Sequence, residues 1–68
     1  MKIIGAIKNI EDNVIILISD LGEYFEFNMN EREALPEWAN EEFEKLSCIK
    51  HVGNFMLFIL KKKNKDGV

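Results

Sequence analysis

Six apolar residues in a row, Phe55 to Leu60, are followed at once by Lys61, Lys62 and Lys63. An extended chain points successive side chains to opposite faces. Phe55, Leu57 and Ile59 would then look one way and Met56, Phe58 and Leu60 the other, so both faces of this strand need cover. Lys2 to Ile10 and Val14 to Ile18 have the same two-sided character. In the first of them Ile3 and Ile7 flank Gly5 on one face, with Ile4, Ala6 and Ile10 on the other. A glycine inside such a run marks a bulge or a sharp bend.

Between these runs, Glu11-Asp12-Asn13 and Ser19-Asp20-Leu21-Gly22 read as turns. Glu23 to Met29 alternates, with Phe25, Phe27 and Met29 to one side and Tyr24, Glu26 and Asn28 to a wet side. From Asn30 the period changes. Asn30 with Glu33 fits a capped single turn that Pro36 cuts short. Pro36 suits a first helical position, and the spacing predicts a helix over 36–46. Leu35, Trp38, Ala39, Phe43 and Leu46 form its apolar stripe, while Glu37, Glu41 and Glu44 lie elsewhere around it. Ser47 to Val52 and Phe55 to Lys62 complete the strands, joined at Gly53-Asn54.

The order β-β-β-α-β-β predicts a mainly β fold: a small five-stranded barrel, OB-like or SH3-like, or a strongly curled antiparallel sheet. One short helix covers part of one face. The rest must close on itself or meet another chain, as a homodimer does. A single domain is expected over 1–63, with a flexible polar tail over 64–68.

Ile10 to Ile15, then Gly22-Glu23, then Leu35-Pro36-Glu37 resemble a family of small uncharacterised bacterial β-rich proteins. In that family an apolar strand follows an "IEG"-type turn, and a "DGE" turn and an "LPEGAKEGD" segment come after it. The resemblance spans roughly Ile4 to Leu46. This chain departs from it in placing Trp38 and Phe43 where the family has small residues and a Gly-Asp turn. The likeness implies a small barrel and no chemistry.

Sixty-eight residues, 47% of them apolar and 31% charged, suit one small folded domain. The one cysteine excludes an internal disulfide. No export signal or membrane span is expected, because Lys8 and Asn9 interrupt the first apolar run and none approaches about 18 residues. A reducing cytoplasm follows as the expected setting. The net charge of −3 argues against a general phosphate-backbone binder. Six glutamates between Glu31 and Glu44 face a single Arg32, and Lys61, Lys62, Lys63 and Lys65 crowd the other end of the chain.

Cys48 and His51 are the strongest ligand or nucleophile pair. On a regular strand, residues three apart point to opposite faces and cannot act together. No further Cys or His exists to complete a zinc site. No nucleotide-binding, zinc-protease or triad pattern occurs, so no enzyme, cofactor or metal is expected. The first functional expectation is a non-enzymatic protein–protein interaction module, of a phage-type or accessory inhibitor kind. It would dock on another protein through an acidic helix surface of Glu37, Trp38, Glu41 and Glu44. The alternative is a single-stranded nucleic-acid module using Tyr24, Lys61, Lys62, Lys63 and Lys65. A third reading is a structural homodimer subunit joined through an apolar sheet face.

Overall fold

The computed structural model describes residues 1–30 and 35–61. Its elements run β1 (Ile3–Asn9), β2 (Val14–Ser19), β3 (Tyr24–Asn28), α1 (Glu37–Phe43), β4 (Leu46–Val52) and β5 (Phe55–Leu60). The five strands form one antiparallel sheet in the order β3-β2-β1-β5-β4. The fold is mainly β with one short helix, as its pattern predicts. The sheet is not closed into a barrel. β4 is held to β5 by the tight turn at Gly53, where φ is +58°, and β3 to β2 by the turn at Gly22, where φ is +83°. These two strands therefore end up as opposite edges, with no pairing between them to shut an OB-like or SH3-like cylinder.

β1 occupies the centre and departs from strict alternation. Its register against β2 shifts between Ile3 and Gly5, so Ile4 is an additional residue. Ile3 and Ala6 consequently share the covered face, at 0% and 2% exposure, and Ile7 moves to the opposite face. That corrects the pairing of Ile3 with Ile7 and of Ile4 with Ala6 expected from period two. Gly5 suits the bulge, since a Cβ there would lie 3.1 Å from the carbonyl oxygen of Phe58 on β5, tighter than an ordinary contact.

Register across the sheet assigns each paired side chain to a face. One row of the covered face reads Phe25, Leu17, Ala6, Phe58, Cys48 and the next Phe27, Ile15, Lys8, Met56, His51. Ile3, Ile15 and Leu17 are fully buried there, each side chain contributing about 1.5–3 kcal/mol by removal from water. The helix carries the chain over this face from one edge to the other. Its seven residues are too few to hold helical form unaided. Ala39 is buried against the core, Trp38 meets Phe25 and Phe27, and Phe43 meets Phe58 at 4.9 Å between ring centroids.

The helix ends are narrower than the stripe suggests. Pro36 is the N-cap, with extended ψ of 160°, and its carbonyl accepts the N–H groups of Ala39 and Asn40. Glu44 and Lys45 turn the chain out of the helix, and Leu46 opens β4 opposite Leu60. Leu46 fits a helix stripe and a strand equally well, and cross-strand pairing decides for the strand. Asn30 Oδ1 accepts from Asn13 Nδ2 at 2.9 Å, tying two turns together. The capped turn expected with Glu33 falls in part outside the described residues, and the tail over 64–68 lies wholly outside them.

Candidate functional site: the uncovered sheet face

The back of the sheet is built from the other half of each strand. Its three rows read Tyr24, Ile18, Gly5, Ile59, Ser47, then Glu26, Ile16, Ile7, Leu57, Lys50, then Asn28, Val14, Asn9, Phe55, Val52. On the three central strands every back-facing side chain except Asn9 is apolar or absent. No element crosses this face among the described residues. Phe55 at 47%, Ile59 at 46% and Val52 at 51% exposure stand out from it, and Ile16, Ile7 and Leu57 between them are half-buried by one another. Five strands at about 4.8 Å and six residues at about 3.3 Å span roughly 24 × 20 Å. The apolar centre, three strands wide, makes up roughly 14 × 20 Å of this, a contiguous patch of about 290 Å² in projection, close to the size at which the largest apolar patch of a monomer is often functional.

Asn9 does not break the patch. Its Oδ1 accepts the backbone N–H groups of Glu11 and Asp12, and its Nδ2 donates to Asp12 Oδ2 at 3.1 Å. Both polar atoms are thus engaged by the neighbouring turn, the oxygen by two N–H groups and the nitrogen through one of its two donors. Polar character is confined to the rims, where Glu26 exposes a carboxylate on β3 and Lys50 an ammonium on β4.

The residues expected to dock a partner are divided by the structure. Glu37, Glu41 and Glu44 are exposed at i, i+4, i+7 spacing, which aligns them on one solvent side of α1 and its C-cap. Trp38 faces away from them in function: its ring sits edge-on to Phe25 at 5.6 Å and Phe27 at 6.2 Å. It closes the core, with 39% of its surface exposed. Just past the helix end, Lys45 Nζ reaches back to pair with Glu42 at 3.0 Å. That hydrogen bond, against a smaller opposing effect of desolvation, holds the Glu42 carboxyl below its ordinary pKa.

Tyr24 is exposed on β3, and Lys61 follows β5, three strand spacings or about 14 Å across the sheet. Lys62, Lys63 and Lys65 lie outside the described residues. On the back face Lys50 is the one cation of the rows, matched by Glu26 in the same row.

Cys48 and His51 hold a correction. A second register shift, between Cys48 and Lys50, makes Ile49 an additional residue, so Cys48 opposes Phe58 and His51 opposes Met56. Phe58 and Met56 share a face, and the two residues therefore do as well, contrary to strict alternation. Both are exposed, and the Cys48 thiol lies 3.5 Å from the Lys50 carbonyl oxygen. Among the described residues no group of three or more potential ligands could hold a metal ion, no pocket opens at the surface, and no helix is long and apolar enough to cross a membrane.

Comparison of the chain with protein-family models, with curated proteins and with solved structures finds no match.

Proposed function

We propose that this chain is a non-enzymatic protein–protein interaction module whose contact surface is the uncovered sheet face rather than the acidic helix. The observation that carries the reading is the set of nine central back-face positions, apolar except for Asn9, with charged groups only at the rims. An apolar centre with a polar rim is the anatomy of a protein interface, and it fits a partner surface that is itself apolar at its centre. The helix offers less: once Trp38 is committed to Phe25 and Phe27, what it presents is carboxylates, and rim charges steer encounter more than they hold a complex.

A photo-crosslinking amino acid at Ile59 or Val52, compared with one at Glu37 or Glu41, tests the choice of surface in cells. Covalent protein adducts from the sheet positions and none from the helix positions are expected. Adducts from the helix positions alone would return the acidic surface to first place.

A further inference from the structure

Resting on that reading of the sheet face, we infer that the partner is a second copy of this chain, stacked face to face about a two-fold axis that runs parallel to the strands. Three features lead there. The first is charge. Glu26 and Lys50 stand at opposite ends of one row, separated by Ile16, Ile7 and Leu57. A two-fold axis between the sheets and along the strands reverses the order across the sheet while keeping each row opposite itself. Glu26 of one protomer then meets Lys50 of its partner, and the reverse pair forms at the other rim. An axis perpendicular to the strands would instead set Glu26 on Glu26 and Lys50 on Lys50, so the rim charges select one of the two arrangements.

The second feature is shape. Two copies carry the same twist, and like-twisted sheets stack aligned at about −30° and about 10 Å apart. The long side chains of Glu26 and Lys50 span the offset this crossing opens at the rims. In the centre Ile7 meets Ile7, and near Gly5 the absence of a side chain leaves room for the neighbouring isoleucines. The third is area. The roughly 24 × 20 Å face measures about 480 Å² in projection, more than half of the ~800 Å² per partner of a standard stable interface before the relief of its side chains is added. Edge-to-edge pairing is the weaker route to self-association, because the additional residue at Ile49 disrupts the β4 edge and β3 has only five residues.

Sedimentation velocity of the full chain over a wide concentration range tests this. A dimer is expected, dissociated to monomer by Leu57→Glu with an unchanged far-UV circular dichroism spectrum. Glu26→Lys and Lys50→Glu are each expected to weaken the dimer about tenfold, since each turns two attractive pairs repulsive, and the double exchange should restore it. Should Leu57→Glu fail to fold, the charge exchange stands alone as the test, because both substitutions are at exposed rims. A dimer indifferent to the exchange overturns the axis. A wild-type monomer at every concentration overturns the second copy. In that case adducts from Ile59 with the mass of a different protein leave the sheet-face reading intact, and no adducts from Ile59 or Val52 remove both.

Discussion

The Ser19 hydroxyl, 1% exposed, accepts the backbone N–H groups of Leu21 and Glu23 at 3.1 Å each. It thereby satisfies the turn that sends β2 into β3. Ser19→Ala removes the acceptor that both donors share, and urea unfolding is expected to report a loss of about 1–2 kcal/mol for the two hydrogen bonds together. That is a large share of the roughly 3–10 kcal/mol a domain of this size holds. Glu42 gives a pH signature instead. Its carboxyl is held below the ordinary value by the hydrogen bond from Lys45, so the native state favours the ionised form. The sign follows: this contribution is whole above the unfolded glutamate pKa of about 4.3 and is lost as pH falls through the lowered native value. A carboxyl-resolved NMR titration should show the Glu42 midpoint rising toward ordinary in Lys45→Gln, with acid unfolding shifted only slightly, as befits a largely solvated pair.

At the level of elements, α1 is kept helical by what it packs against: Ala39 on the core, Trp38 on Phe25 and Phe27, and Phe43 on Phe58. Trp38→Ala is expected to cost about 2–4 kcal/mol in thermal or urea unfolding, whereas Glu41→Lys should leave stability within about 0.5 kcal/mol. A stable Trp38→Ala variant would show the ring to be a surface anchor rather than the lid on Phe25 and Phe27. The turns were the most legible part of the chain. Gly22, Gly53 and Asn13 all take positive φ, a local demand that local residue types announce. Parity was less legible. Gly5 flags the first bulge, but Cys48-Ile49-Lys50 contains nothing that flags the second, and one additional residue reverses every face assignment beyond it. For this reason the sequence pattern separates Cys48 from His51 and the sheet reunites them. The apolar back face was readable as an excess of two-sided strands. Which side chains compose it was not, because Ile7 changes sides with the bulge.

Across the whole molecule, openness of the sheet was the feature beyond reach of local reasoning. Strand, turn and helix signals are the same for a barrel and for an open sheet, and the choice lies in non-local pairing. β1 pairs with β5, not β4 with β3, and nothing near either strand declares it. That pairing has a bearing on how the chain comes into being. During synthesis β1, β2 and β3 emerge in succession and can pair at once as a meander. The other edge of β1 must wait for β5, after α1 and β4 have been made. At about 5–20 residues per second this is an interval of seconds. Throughout it the most apolar part of the molecule presents a row of unpaired N–H and C=O groups next to side chains that are oily on both faces, the combination most prone to capture by a neighbouring nascent chain. A product broken off before Phe55 would keep that edge for good. It would be a seed for aggregates rather than a smaller version of the same fold.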